Sequence, residues 1–167
     1  MSHPLSQVHY DAKKLGDKLK QHHLQLVTAE SCTGGQLAQT ITSVPGASTW
    51  FERGFVTYSN LSKQQMLGID ESLFKRCGPV SEEIVLAMAK GALDKSSAHI
   101  SIAITGIAGP DGGTEQLPVG TIWTAWVSKN AFSKTQCQHY TGDRLIIRYN
   151  AVEFALQTLL NLMKENI

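Results

Sequence analysis

The stretch LQLVTAESCTGGQLAQTI, residues 24–41, passes from an apolar segment through a polar, glycine-bearing turn into an amphipathic segment. Residues 24–29 are mostly apolar or β-branched, which predicts a short strand. A helical pattern begins after Gly34 and Gly35, and the Pro-Gly pair at residues 45–46 ends it. A strand that leads through a glycine turn into a helix is the unit from which α/β domains are built.

The rest of the chain alternates helices with strands and ends with adjoining strands and a long helix. Residues 99–105, HISIAIT, form a continuous apolar run that is typical of a central strand buried on both faces. An apolar stripe from Leu145 to Met163, at steps of four and three, predicts a terminal helix. We therefore expect an α/β fold, a three-layer α/β/α sandwich with a mixed sheet, as one domain over residues 1–167.

Composition excludes several classes of function. The chain carries a formal net charge of +1 and no run of Lys or Arg, which argues against a nucleic-acid or membrane surface but leaves room for a small anionic ligand. Its three cysteines have no paired spacing, so we expect no disulfide framework, no metal site and a reducing compartment. With no apolar run long enough to span a bilayer, we expect a cytoplasmic protein.

Three predicted strands end in or beside a hydroxyl residue. Ser31 follows the first strand, Tyr58 lies near the end of the second, and Thr105 ends the third. Ligands of open α/β sheets collect beyond the carboxyl ends of the strands, so we expect these side chains to meet at one edge.

The sequence allows two interpretations of Ser31, as a nucleophile or as a helix cap. The helix that opens at Gly34 and Gly35 would offer unpaired N–H groups to a phosphate or a developing oxyanion beside a Ser31 nucleophile. Ser31 and Thr33 are also ordinary capping residues, and taken alone capping is the simpler reading. Cys32 is a rival nucleophile, but a cysteine enzyme usually needs a histidine, and none falls in a glycine-rich or strand-end motif.

Lys63 is out of place in a first helical turn. With Asn60 as the expected cap, the helix dipole disfavours a cation at this position. Lys63 is therefore either solvated, which is the usual case, or a base whose pKa is lowered by burial and the dipole. Tyr58 lies close enough along the chain to share the same edge.

Two further features are candidates for substrate binding. The loop of residues 106–120 is too long and glycine-rich to be a casual connection, and Gly106 and Gly109 are its candidate contacts. Arg144 and Arg148 lie four residues apart on one helix face, where either could reach a phosphate. An exposed arginine is an equally good reading of each.

The motifs TAESCTGG, FERGFVTYSNLSK and ITGIAGPDGGTEQLPVGT together resemble the competence/damage-inducible CinA C-terminal family over nearly the whole chain. They are most similar to its stand-alone members, the nicotinamide-nucleotide amidases. The resemblance implies a mostly parallel sheet in an anticodon-binding-domain-like sandwich, and hydrolysis of nicotinamide mononucleotide in pyridine nucleotide recycling. It also implies a mechanism without metal or cofactor, with Ser31 as nucleophile, Lys63 as base, and Tyr58 and Thr105 assisting.

Two alternatives stay open at this point. One is a catalytically silent CinA-like protein that binds a nucleotide or a partner in competence or the DNA damage response, and the other is a cysteine hydrolase acting through Cys32. A pure binder has no need of a nucleophile and a base, so Ser31, Tyr58 and Lys63 favour the enzyme with a small-molecule substrate. The oligomeric state is open, and a homo-oligomer is possible.

Overall fold

A computed structural model describes residues 4–167, with side chains from residue 7 onward. Among these residues, no helix combines the length and the apolar character that crossing a bilayer would need. The regular elements are, in chain order, α1 Pro4–Gln21, β1 Leu26–Glu30, α2 Gln36–Thr42, β2 Phe51–Val56, α3 Asn60–Leu67, α4 Glu71–Cys77, α5 Glu82–Asp94, β3 Ile100–Gly106, β4 Thr121–Ser128, β5 Ser133–His139 and α6 Arg144–Asn166.

The strands form one five-stranded sheet in the order β2-β1-β3-β4-β5. Strand β1 is parallel to both of its neighbours, β2 and β3. Strand β4 is antiparallel to β3 and to β5, so it is the one strand of this sheet that runs against the other four. The prediction of a mixed, mostly parallel sheet is confirmed.

Alternate residues of β3 face two different helical layers. Ile100, Ile102 and Ile104 are fully buried in a core that they share with α1, α2 and α6. Ala103 faces the other way, into a core formed mainly with α5. The side chains of a strand alternate between the faces of its sheet, so the apolar run predicted a strand covered on both sides, and the three-layer arrangement is confirmed.

Ser59, and not Asn60, caps helix α3. The Ser59 hydroxyl accepts a hydrogen bond from the Ser62 N–H at 3.0 Å, and the Ser62 hydroxyl accepts one in return from the Ser59 N–H. This reciprocal pair satisfies two backbone groups, whereas a cap at Asn60 would satisfy one. The helix therefore begins one residue earlier than expected, and the Lys63 N–H makes its bond to the Ser59 carbonyl.

The apolar stripe of helix α6 begins at Ile147 and not at Leu145. Leu145 is 71% exposed, whereas Ile147 is buried together with most of the stripe that follows it. The first turn of α6 lies beside a cavity at the sheet edge, where Arg144 forms part of the wall, and not over the core. Periodicity alone extended the buried face by one turn too many.

Candidate active site

A cavity of about 310 Å³ lies at the carboxyl ends of the parallel strands. Its volume is at the lower end of the range for small-molecule sites, which suits a ligand of modest size. The structure brings together at this cavity most of the residues that the sequence singled out. It is lined by Ser31, Cys32, Tyr58, Asn60, Lys63, Pro79, Val80, Thr105, Gly106, Ile107, Ala108, Gly109, Asp111, Gly112 and Arg144.

The Lys63 amine contacts the Ser31 hydroxyl, with 3.0 Å between Nζ and Oγ. Both side chains are buried, Lys63 at 2% exposure and Ser31 at 7%. The backbone of Ser31 is attached to the sheet, because its N–H donates to the Ile104 carbonyl of β3 at 2.9 Å. The two side chains thus approach each other from different elements, Ser31 from the end of β1 and Lys63 from α3.

Burial lowers the pKa of Lys63 below its ordinary value, and an interaction with Cys32 opposes this shift. None of the salt bridges among the described residues includes Lys63. A buried amine without a carboxylate partner favours its neutral form. The neutral form has a lone pair, and it is the form that can take a proton from a hydroxyl at this distance.

Cys32 lines the same cavity but is not an activated thiol. Burial raises the pKa of the Cys32 thiol to about 12, so the thiol is protonated at neutral pH. No histidine is among the residues that line the cavity. The geometry therefore favours Ser31 over Cys32 as the nucleophile of this site.

Arg144 joins three parts of the site. Its Nη2 donates to the Tyr58 hydroxyl oxygen at 2.8 Å, and its Nη1 donates to the Gly109 carbonyl at 2.7 Å. The start of α6, the segment after β2 and the loop after β3 are thereby linked through one guanidinium. Arg144 also forms part of the cavity wall, to which it brings a positive charge.

The structure does not bring Arg148, Gly34 and Gly35 to the cavity wall. The Arg148 guanidinium donates to the Thr33 carbonyl at 2.8 Å, behind the turn that carries Ser31. The Gly34 N–H donates to the Ser31 carbonyl, and the Gly35 N–H donates to Glu30. The expected free anion site at the start of helix α2 is thus filled by a carboxylate of the protein itself.

Sequence reasoning missed Glu30. Its side chain is fully buried and caps α2, whose N-cap residue Gly35 has no side chain to do so. A signal was present in the sequence: an acid ends an apolar strand directly before a helix whose start is marked only by glycines. Acidic groups stabilise helix N-termini, so this placement had a physical reason.

Thr105 and Gly106, at the end of β3, form the part of the cavity wall on the strand next to Ser31. Thr105 is 1% exposed, and its hydroxyl donates to the Pro79 carbonyl at 3.1 Å. A β-carbon on Gly106 would come within 2.6 Å of the Thr121 carbonyl oxygen, so a larger residue would push β3 away from β4. Glycine, which has no β-carbon, therefore allows β3 and β4 to pack closely at this part of the cavity wall.

Together these features define an α/β protein with a buried serine–lysine pair at the carboxyl edge of its sheet. The chain belongs to the CinA family: residues 9–163 match the CinA C-terminal domain. It is 48% identical over 155 residues to a nicotinamide-nucleotide amidohydrolase PncC of Pseudomonas putida, covering 92% of this chain and 96% of that protein. The PncC of Escherichia coli K12 is 47% identical over 148 residues, covering 89% of this chain and 90% of that protein. The crystal structure of the competence/damage inducible protein CihA from Agrobacterium tumefaciens matches with a TM-score of 0.91 and 38% identity, covering 93% and 95% of the two chains.

Removal of the buried amine should stabilise the protein at neutral pH. A lysine whose folded-state pKa is lowered binds its proton more weakly in the folded than in the unfolded state, so its burial costs stability below its ordinary pKa. We expect Lys63→Met to melt at a higher temperature than the parent near pH 7. The difference should shrink as pH rises toward about 10.4, where the unfolded lysine also loses its proton. Thermal denaturation across this pH range measures the effect.

The matched control is Lys90→Met, at an exposed position on α5. It should change the melting temperature little, and without the same pH dependence. A Lys63→Met variant that is less stable than the parent at pH 7, by the same margin at every pH, would contradict a lowered pKa of the buried amine.

Proposed function

We propose that this chain hydrolyses the amide of nicotinamide mononucleotide to nicotinate mononucleotide and ammonia, by a Ser/Lys mechanism in pyridine nucleotide recycling. The observation that carries the proposal is the buried 3.0 Å contact between Lys63 Nζ and Ser31 Oγ. The name of the PncC relatives, nicotinamide-nucleotide amidohydrolase, supplies the substrate class. An amide is a poor electrophile, so its hydrolysis needs an activated nucleophile and a proton for the departing ammonia.

The proposed reaction has two halves that share one base. Ser31 Oγ attacks the amide carbon while its proton passes to the neutral Lys63 amine. Lys63 then donates this proton to the leaving nitrogen, ammonia departs, and an ester to Ser31 remains. A water molecule attacks the ester and gives one proton to Lys63. As the second intermediate collapses, Lys63 passes this proton to Ser31 Oγ, and the product leaves as the acid, which loses its remaining proton to solvent.

The hydrogen bonds already made by Thr105 and Tyr58 suit a carboxamide. Thr105 donates its proton to the Pro79 carbonyl, so it offers lone pairs to a ligand. Tyr58 accepts from Arg144, so it can direct its own proton at a ligand. A carboxamide presents an NH₂ donor and a carbonyl acceptor, which match an acceptor at Thr105 and a donor at Tyr58. The Tyr58 proton can also stabilise charge that develops on the carbonyl oxygen.

The direct test is ammonia release from nicotinamide mononucleotide by the purified protein. We expect turnover that chelators leave unchanged, since no group of three or more potential ligands clusters anywhere in residues 4–167. Ser31→Ala should lower kcat by about a thousandfold or more, because the nucleophile and base act as a unit. Cys32→Ala should keep most of the activity.

An active Ser31→Ala variant beside an inactive, folded Cys32→Ala variant would reverse the assignment of the nucleophile. A folded parent protein that releases no ammonia would instead favour a catalytically silent relative that binds a nucleotide or a partner.

The pH dependence of kcat/KM should report the titration of Lys63. Because the base must be neutral, kcat/KM should rise with pH through a group that titrates clearly below the ordinary lysine value of about 10.4. Burial lowers the pKa of Lys63 in this direction. Lys63→Arg should be inactive across the range, since a guanidinium keeps its proton and cannot act as a base. Steady-state kinetics from neutral to alkaline pH measure this profile.

Lys90→Arg serves as the control, because Lys90 is exposed on α5, away from the cavity. Turnover by Lys63→Arg at close to the parent rate would reduce Lys63 to an electrostatic role.

Arg144 is the arginine that we propose for the phosphate. We expect Arg144→Ala to raise KM for nicotinamide mononucleotide by about ten- to a hundredfold, the effect of one charge-assisted contact, with a smaller change in kcat. Nicotinamide riboside, which lacks the phosphate, should show little change in KM. Arg144 also holds Tyr58, so the substitution is repeated in the Tyr58→Phe background.

A KM effect that persists with Tyr58→Phe and vanishes with the riboside assigns Arg144 to the phosphate. If Arg144→Ala adds nothing once Tyr58→Phe is present, Arg144 acts only by orienting the tyrosine.

A further inference from the structure

The Glu30 carboxylate is buried at the base of the turn that carries Ser31. Glu30 is the last residue of β1 and has no exposed surface. It accepts four hydrogen bonds: Oε2 from the Thr33 hydroxyl at 2.7 Å, from the Gly35 N–H at 3.1 Å and from the Leu37 N–H at 3.0 Å, and Oε1 from the Ala38 N–H at 2.8 Å.

These four bonds stand in place of a counter-ion. No salt bridge in the described part of the chain includes Glu30. A buried carboxylate costs free energy unless its oxygens are hydrogen-bonded, and here the first-turn N–H groups of α2 and the helix dipole offset that cost. Gly35, the N-cap of this seven-residue helix, has a left-handed backbone with φ +94° and no side chain that could cap the helix. The carboxylate does something that a local cap cannot, because it joins the end of β1 to the start of α2.

The segment between these two ends is the turn of residues 31–35, which we call the nucleophile turn. Its other contacts also hold it in place: the Ser31 N–H donates to Ile104, the Gly34 N–H closes onto the Ser31 carbonyl, and Arg148 donates to the Thr33 carbonyl. Thr33 is fully buried, with its hydroxyl on Glu30 and its carbonyl on Arg148.

We propose that Glu30 is a positioning residue, which fixes the nucleophile turn so that Ser31 Oγ stays within reach of Lys63 Nζ. Glu30 does not line the cavity, so it acts through Ser31 and not on the substrate. This inference rests on the proposed role of Ser31 as nucleophile. Catalysis depends steeply on such placement, since a displacement of about 1 Å can cost about a hundredfold in rate.

The test replaces the carboxylate by its closest neutral analogue. Glu30→Gln keeps the shape of the side chain, but its NH₂ group is a donor that faces N–H donors of α2. Thr33→Val removes one of the four hydrogen bonds and leaves Glu30 in place. Glu83→Gln, at an exposed position in the first turn of α5, is the control.

The first readout is the rate at which a fluorophosphonate probe labels Ser31, followed by intact-protein mass spectrometry. In this reaction Ser31 Oγ bonds to phosphorus, fluoride leaves, and the hydroxyl proton passes to Lys63. The second readout is the split between kcat and KM for nicotinamide mononucleotide, together with the pH profile of kcat/KM.

We expect Glu30→Gln to lower both the labelling rate and kcat by about ten- to a hundredfold, with KM within about twofold of the parent. The pH at which activity rises should not move, because Lys63 keeps its surroundings. Thr33→Val should lower both rates by a smaller factor, and Glu83→Gln should leave them unchanged.

Labelling of a folded Glu30→Gln variant at the parent rate would overturn the proposal. If Glu30→Gln does not fold, labelling of a folded Thr33→Val variant at the parent rate would overturn the proposal instead. A fall in both rates accompanied by a moved pH profile would also overturn it, since Glu30 would then act on the titration of Lys63. A parent protein that is not labelled at Ser31 overturns it as well, whereas labelling without ammonia release contradicts the proposed substrate alone.

Discussion

The contact between the Lys63 amine and the Ser31 hydroxyl requires that the surrounding elements stabilise a buried amine. An amine that is buried without an anion costs free energy, so the fold must supply enough stability elsewhere to hold it there. The isoleucine-rich face of β3 and the stripe of α6 belong to the larger core that does so. The cap at Ser59 sets where α3 begins, and this start places Lys63 on the face that points into the sheet edge.

The negative charge of Glu30 is stabilised separately from the Lys63 amine, by groups of the nucleophile turn and of α2. Glu30 and Lys63 are both buried, yet they are not paired with each other: Glu30 takes its hydrogen bonds from Thr33 and α2, and Lys63 contacts Ser31. A direct ion pair would hold Lys63 in its charged form and remove the base that we propose. Because the Thr33 hydroxyl and backbone N–H groups satisfy the carboxylate, both groups can be buried while the amine stays available for the proton transfer that we propose.

Most of the fold could be predicted from the sequence, because its signals are local or periodic. The β3 run, the glycine turn after β1 and the pattern of α6 each specify an element without reference to the rest of the chain. The site was predictable in outline, since strand ends meet at one edge. What could not be predicted were the long-range partners: Arg144 with Tyr58, and Arg148 with Thr33, are 86 and 115 residues apart in sequence. Arg144 and Arg148 are four residues apart on one helix, yet Arg144 lies at the cavity and Arg148 lies behind the nucleophile turn.

The polar groups of the cavity match the amide of the proposed substrate better than the carboxylate of its product. Thr105 directs its proton to the Pro79 carbonyl, so only its lone pairs remain for a ligand. In the proposed reaction these lone pairs accept from the NH₂ group of the substrate amide. The carboxylate that replaces the amide has no donor and carries a negative charge, so the same lone pairs face an oxygen and oppose it. An unpaired acceptor in a buried site costs free energy. The hydrogen bond from Thr105 to Pro79 would thus favour the amide on entry and the departure of the acid, without any movement of the protein.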